Sequence, residues 1–313
     1  MKSKLALLEE FQPGPGLAYG LIILVAFLWA ASTVIGRGVH ETIPPFGMSF
    51  WRWFIAAMVL LPLVWREIPR KWALIKAHAG LIVLLGILQV VSSAVLIFGL
   101  NFTTAVNGTL INAAQPALTA IPAWLLVRDR LSPGQGLGIL SAFVGVAFMI
   151  TRGDLAVLTQ LSFNNGDLLA VIAVAGWSCY VPLLHRLPRE LGLTTSLFLI
   201  LFSGSLCLIP AYVIEALYFR PMPFSVFSVT VLVTLGIIIS AFSVLLWNAS
   251  VRAVGPNRAV IFLNLIPVFG VVMAIGFLGE RLFSFHLIGA GFVALGVALV
   301  VLKARWRGGG EKP

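Results

Sequence analysis

The chain has 313 residues, 60% of them hydrophobic and 10% charged, with a formal net charge of +10 at pH 7. Soluble domains carry about a quarter charged residues, so a soluble globular fold is excluded. The apolar residues run in blocks of roughly 20, the length that matches the hydrocarbon core of a bilayer, and backbone groups left unpaired in lipid are too costly for such blocks to be anything but helices.

The first block, 17–36, brings Trp29 together with Ser32 and Thr33. The second, 47–65, carries Arg52, the single basic residue inside a span, and the position near one end predicts that it snorkels or bonds to helix ends, with attraction of a carboxylate as the alternative. Trp51, Trp53, Trp65, Trp72 and Trp306 fall where an interfacial aromatic belt is expected. In the third, 79–98, Gln89 and Ser93 are four apart and share a face. The fourth, 107–126, aligns Asn112, Gln115 and Thr119 on one stripe and contains Pro116. The fifth, 134–151, has Gly138 and Gly145 seven apart, a spacing for close helix packing. The sixth, 167–184, carries Trp177 and Tyr180, and the seventh, 196–218, carries Glu215 close to one end. The eighth, 227–249, places Ser240, Ser243 and Trp247 on one face. The ninth, 258–278, holds Asn264 seven residues after Asn257, together with Pro267, and the tenth, 285–302, repeats the glycine spacing with Gly289 and Gly296.

The distribution of positive charge sets the topology. With the first tail cytoplasmic, one side receives Lys2, Lys4, Arg66, Arg70, Lys71, Lys76, Arg128, Arg130, Arg186, Arg189, Arg252, Arg258, Lys303, Arg305, Arg307 and Lys312, and the other only Arg37, Arg152, Arg220 and Arg281. In short loops such a bias marks the cytoplasmic side. Both termini are therefore expected in the cytoplasm, which requires an even number of spans and fits ten in the inner (plasma) membrane. The charge is thus accounted for by the membrane, and no nucleic-acid partner is expected.

An internal repeat organises these spans. Offset by 151 residues, 116–150 falls on 267–301 with identities at Pro116/Pro267, Ala123/Ala274, Arg130/Arg281, Leu131/Leu282, Gly138/Gly289, Gly145/Gly296, Val146/Val297 and Ala147/Ala298. Asp129-Arg130-Leu131 and Glu280-Arg281-Leu282 occupy equivalent turns, Ala105-Val106 and Ala253-Val254 open equivalent segments, Trp29 matches Trp177, and Pro62 matches Pro210. Five spans per repeat is an odd number, so the second copy enters the membrane from the opposite side, a construction that secondary transporters use with the substrate site between the halves. The expectation is an all-α membrane protein: a cytoplasmic tail at 1–16, a five-helix repeat at 17–151, an inverted five-helix repeat at 167–302 and a basic cytoplasmic tail at 303–313.

The stretch Arg252-Ala253-Val254-Gly255-Pro256-Asn257-Arg258-Ala259, continuing through Asn264, Pro267 and Gly279-Glu280-Arg281-Leu282, resembles the hallmark segment of EamA-type members of the drug/metabolite transporter superfamily. Phe98 through Thr104-Ala105, Pro116 and Asp129-Arg130-Leu131 resembles it more loosely, and Trp51-Arg52-Trp53-Phe54 also resembles the family pattern. The resemblance implies ten spans, cytoplasmic termini and export of amino acids or related metabolites, aromatic ones included, as in exporters of the YddG kind.

Polar groups inside a membrane point into the bundle or a wet cavity. Trp29, Ser32, Gln89, Ser93, Asn112, Gln115, Trp177, Tyr180, Ser243, Trp247 and Asn264 are accordingly the candidate substrate-binding residues. Pro116 and Pro267 each remove a backbone donor and free a carbonyl, which makes them the candidate hinges. None of the eleven acids lies in the middle of a span, so facilitated diffusion or exchange is expected instead of pumping through a buried carboxylate. There is no phosphate-binding loop, His40, His78, His185 and His286 lack metal spacing, and Cys179 and Cys207 read as apolar fillers. No cofactor, metal or enzymatic activity is expected. The partners are a small-molecule substrate and the lipid bilayer, with the chain a monomer or homodimer. A drug or organic-cation exporter, and a non-transporting subunit or lipid-translocating partner, remain as alternatives.

Overall fold

The computed structural model describes residues 13–127, 133–154, 164–254 and 260–308, whose regular secondary structure is helical, with no strand among them. The long helices are α1 (Pro15–Gly38), α2 (Pro45–Val64), α3 (Ala79–Gly99), α6 (Asn165–Leu184) and α7 (Leu193–Tyr218). Between α3 and α6 lie α4, broken into Ala105–Asn112, Gln115–Leu118 and Ala120–Val127, and α5 (Pro133–Ile150). After α7 come α8, made of Val226–Val233, Thr234–Phe242 and Ser243–Val254, then α9, a 3-10 turn Val260–Asn264 running into Leu265–Leu278, and α10 (Ser284–Gly308). Six helices, Pro15–Gly38, Pro45–Val64, Ala79–Gly99, Asn165–Leu184, Leu193–Tyr218 and Val226–Val251, are long and apolar enough to cross a membrane, and Gly136–Ile150, Phe262–Leu278 and Ser284–Leu299 are shorter apolar helices.

Local sequence explains where these helices start. Pro15 and Pro45 sit in the first turn, where the missing N–H costs nothing. Thr104 caps α4 by accepting from the Asn107 amide at 3.1 Å, Asn164 caps α6 from Gly166 at 2.7 Å, and Ser225 caps α8 from Ser228 at 3.2 Å. Helix α9 ends on Gly279 with φ 66°, a left-handed conformation that favours glycine. Irregular backbone lies beside both prolines: α4 breaks at Ala113–Ala114 just before Pro116, and α9 changes from 3-10 to α geometry at Asn264, just before Pro267. Two further irregularities have no sequence signal. Ile87–Val91 in α3 and Thr234–Phe242 in α8 are π-helical, a geometry that is rare and concentrated at functional sites.

Packing pairs helices across the two parts of the chain. Helix α1 lies against α8 and α9, α6 against α3 and α4, α2 against α7 and the π stretch of α8, α7 also against α3, and α5 against α10. Small residues permit the closest of these approaches. A Cβ on Gly86 would meet the Gly204 nitrogen at 2.6 Å, and one on Gly236 would meet the Arg52 carbonyl at 2.9 Å. The glycines of the repeated spacing pack within the chain itself: a Cβ on Gly145 would lie 2.5 Å from the Gly289 carbonyl, and one on Gly296 would collide with the Gly138 carbonyl. The short helices between α2 and α3, Glu67–Arg70 and Trp72–Ala77, tie to the start of α7. Glu67 accepts from Lys71 at 2.6 Å and from Thr195 at 2.8 Å, and Lys71 donates to the Leu191 carbonyl at 2.9 Å. Partial burial pushes the Glu67 carboxyl up, but the bonds from Lys71 and Thr195 outweigh it and hold the group below the usual carboxylate range.

The aromatic belt needs correcting. Trp65 and Trp72 are 56% and 60% exposed, as a belt requires, but Trp53 is 5% exposed and packs with Ala56, Ala57, Leu60, Phe198 and Leu201. Trp51 is partly buried and donates to the Tyr212 hydroxyl at 3.2 Å. Position along the block could not distinguish the lipid-facing side of α2 from the side covered by α7. The Trp306 side chain lies outside the described residues.

Replacing Gly145 with Val inserts two branches where the Gly289 backbone now sits. We expect a loss of about 1–3 kcal/mol, seen as a lower midpoint of thermal unfolding in detergent. Gly136→Val, at a position with open space around it, should leave that midpoint unchanged.

Candidate functional site

A gathering of polar and aromatic side chains lies where α1, α2 and α8 meet. Ser240, in the π stretch of α8, meets α2, and Ser243, just after that stretch, meets α1. The Trp29 indole donates to Ser243 Oγ at 2.8 Å and its ring lies 5.5 Å from that of Trp247. Ser243 in turn donates to the Ile239 carbonyl at 2.6 Å. Arg52 completes the cluster: Nε donates to Ser240 Oγ at 2.8 Å, Nη1 donates to Ser32 Oγ at 2.6 Å, and the guanidinium stands 4.5 Å from the centre of the Trp53 ring. Of the residues expected to bind substrate, Trp29, Ser32, Ser243 and Trp247 are therefore brought together. The expectation that Arg52 snorkels or bonds to helix ends is overturned, because at 7% exposure it is buried between helices and bonded to two serine hydroxyls. Distance from the end of the apolar block says nothing about which side of a helix a residue occupies.

A second, smaller pairing forms between α3 and α6. The Trp177 indole donates to the Gln89 carbonyl at 3.1 Å, in the π stretch of α3. The remaining candidates are dispersed. Ser93 is buried, Asn112 Oδ1 is buried without a partner, and Gln115 is partly buried with its backbone carbonyl accepting from Thr119 Oγ at 2.8 Å. Tyr180 packs with Ile75, Leu183 and Leu191, and Asn264 is exposed. No hydrogen bond or ring contact among the described residues joins these five to either group, and Asn257 and Asp129-Arg130-Leu131 lie outside the described residues.

At one end of the bundle, a network that sequence reasoning missed ties α4 to α6 and α10. Asp167 is fully buried; it accepts from Thr103 Oγ at 2.5 Å and from Asn107 Nδ2 at 3.0 Å. Asn107 Oδ1 lies 2.7 Å from His286 Nε2, while His286 Nδ1 accepts the Phe283 amide at 3.0 Å. A ring nitrogen that accepts an amide hydrogen carries no proton, so His286 is the neutral tautomer with its proton on Nε2, directed at Asn107. Every member is satisfied, and the neutral Asn107 between acid and imidazole makes this a strut, not a relay. Two carboxylates at the same end cap helices of the first part of the chain. Glu215 accepts from Phe46 and Gly47 at 3.2 and 2.7 Å, and Glu280 from Ala105 and Val106 at 2.8 and 2.9 Å. Arg37 stands 3.9 Å from Glu280 and donates to the Leu100 carbonyl at 2.6 Å, and Arg220 donates to the His40 carbonyl at 2.8 Å. Glu280 stood in the repeated turn and Asp167 on the edge of a span, but a partner many residues away leaves no local pattern.

Comparison with known proteins follows the same outline. A model of the EamA-like transporter family matches residues 16–151 and again 164–302. The uncharacterized transporter YyaM of Bacillus subtilis (strain 168) is 31% identical over 258 residues, which span 81% of this chain and 83% of its own. An uncharacterized transporter of Archaeoglobus fulgidus is 23% identical over 285 residues, 90% of this chain and 96% of its own. A riboflavin transporter of Brucella anthropi is 26% identical over 165 residues, 53% of each chain. Among solved structures, one crystal structure superposes with a TM-score of 0.60 at 16% identity, covering 91% of this chain and 96% of the other, a likeness of fold.

Glu280→Gln keeps the size of the capping group but turns one acceptor into a donor facing a backbone amide. A loss of about 1–2 kcal/mol is expected, as a lower unfolding midpoint. Glu41→Gln, whose side chain is exposed, should leave the midpoint unmoved.

Proposed function

Because this chain belongs to the EamA-like transporter family of the drug/metabolite transporter superfamily, we propose that it is a secondary transporter that exports amino acids, aromatic or apolar ones included, or related small metabolites by alternating access. The observation that carries the reading is the set of irregular helices. Backbone that departs from the α-helix at membrane depth is tolerated only where protein or a water-filled cavity covers it, and transporters place such breaks around the substrate. Here the irregular stretches come in matching positions, π turns in α3 and α8 and proline-associated breaks in α4 and α9. Trp29, Ser243 and Trp247 gather at one of them and Trp177 at another.

In this reading the chain has ten spans in two inverted repeats, 17–151 and 167–302, with both termini cytoplasmic in the inner membrane. The end closed by Glu215, Glu280 and the Asp167 network then faces outward. Trp29 and Trp247 supply faces for an apolar or aromatic group, and Ser32, Ser93, Gln89, Asn112, Gln115, Tyr180, Trp177 and Asn264 supply polar contacts as the bundle rearranges. The acids that the described structure buries, Asp167 and Glu215, stand near helix ends and are engaged by Thr103, Asn107 and backbone amides, which supports facilitated transport or exchange. A second reading, favoured by the Brucella anthropi relative, is transport of riboflavin or a similar flat heterocycle.

Counterflow in proteoliposomes tests both. Vesicles loaded with individual amino acids, or with riboflavin, should accumulate the labelled compound without a proton gradient. Absence of exchange with every amino acid and with riboflavin, from folded protein, would reject the reading. The hinges make a separate prediction. Pro116→Ala and Pro267→Ala restore a donor at each break, so each should slow exchange about tenfold or more, as expected when a gating motion is rate-limiting. Wild-type rates in both variants would remove the hinge role.

A further inference from the structure

Arg52 differs from every other polar group in the α1–α2–α8 cluster in carrying a charge. It is 7% exposed, and no carboxylate pairs with it among the described residues. A cation taken out of water without a counter-charge is strongly unfavourable, and intramembrane charges of this kind mark substrate or ion pathways. Ser32, Ser240 and the Trp53 face offset part of that cost but supply no negative charge. Two more groups beside it on α2 are also unserved: Ser49 Oγ and Trp53 Nε1 are buried, 1% and 5% exposed by residue, with no hydrogen-bond partner. Ser49, Arg52 and Trp53 stand at i, i+3 and i+4, which places them on one face of the helix. The Asp167 cluster makes the contrast, since none of its groups is left over.

A buried guanidinium without a counter-charge, next to a hydroxyl and an indole N–H that have no partner, describes a site for an anion. A single positive charge in apolar surroundings suits a monoanion, and the planar fork of a guanidinium suits a carboxylate. We propose that Arg52, assisted by Ser49 and Trp53, is the subsite that takes the carboxylate of the transported molecule. Ser32 and Ser240 hold the guanidinium in place until it arrives. The proposal rests on the transport reading and deepens it, naming the residue that selects carboxylate substrates over amides and organic cations.

The test reads binding without flux. Benzoate and benzamide, alike in shape, are titrated into the detergent-solubilised full chain while its thermal unfolding is followed. Benzoate should raise the midpoint and benzamide should not. Arg52→Gln should abolish the benzoate effect, and Arg52→Lys should retain part of it. Ser49→Ala should weaken benzoate binding about tenfold, the size of losing a hydrogen bond to a charged group, without lowering the midpoint of the empty protein, because it removes an unpaired hydroxyl. That variant decides the matter if Arg52→Gln does not fold. Equal effects of benzoate and benzamide on the wild type, or wild-type benzoate affinity in the variants, would overturn the subsite. Counterflow separates the two readings. Carboxylate exchange with an unchanged KM in Arg52→Gln defeats the subsite and leaves transport standing, whereas Arg52-dependent benzoate binding without flux of any compound leaves the subsite and defeats transport.

Discussion

Backbone hydrogen bonding at membrane depth is the constraint on which the remaining features depend. With no water to accept them, the carbonyls freed at a π turn or before a proline need partners from the protein. Residues of the candidate site donate to carbonyls in both π stretches. Trp177 donates to the Gln89 carbonyl within the π turn of α3, and Ser243 donates to the Ile239 carbonyl within the π stretch of α8. Trp29 then donates to the same Ser243 hydroxyl. Side chains that look like substrate ligands are thus also the groups that make the irregular backbone tolerable. A ligand that displaces Trp29 from Ser243 would act directly on the π stretch, which links binding to helix geometry without a long chain of intermediates.

Charge follows the same logic of compensation. Glu215 and Glu280 are buried or nearly so, yet each receives two amide hydrogens at a helix start, where the backbone is itself short of acceptors. Asp167 is satisfied by Thr103 and Asn107. Arg52 stands apart in being buried with neutral partners only. An arrangement that spends two serines on orienting a cation, and leaves Ser49 and Trp53 unpartnered next to it, lowers the stability of the empty protein relative to an apolar core, as functional sites do.

Much of this was legible in the chain. Apolar blocks fixed the helical class, since block length and backbone satisfaction admit no other solution, and the pairs Pro116/Pro267 and Gly145/Gly296 foretold breaks and close packing that the structure contains. Helical spacing put Ser240, Ser243 and Trp247 on one face; in the structure Ser240 meets Arg52 while Ser243 and Trp247 meet Trp29. What spacing within one helix cannot give is the neighbour. Arg52 and Trp53 read as residues near the membrane surface because their depth was judged along α2, whereas α1, α7 and α8 cover the side on which they stand. The π stretches left no sign because their residues, Ile87-Leu88-Gln89-Val90-Val91 among them, are ordinary helix formers in lipid. The packing of Gly86 on Gly204 and of Gly236 on α2 is a tertiary condition. The Asp167–Asn107–His286 strut joins residues on three helices, a distance over which no periodicity operates.

The two ends of the bundle set what a substrate must accomplish under the proposed reading. At the end closed by Glu280, the ties run between the first and second parts of the chain: Glu280 to Ala105 and Val106, Glu215 to Phe46 and Gly47, and Arg220 to the His40 carbonyl. Opening that end breaks several charge-assisted bonds, each about 1.5–3 kcal/mol, although water replaces part of that once the end is wet. A ligand shifts such an equilibrium only by the difference in its affinity for the two states. An apolar side chain resting against Trp29 and Trp247 finds similar surfaces in both and supplies little difference. A carboxylate meeting Arg52 supplies more, because it removes an uncompensated charge in whichever state brings the two together. The same cation that costs stability in the empty protein is therefore the group best able to make movement depend on substrate.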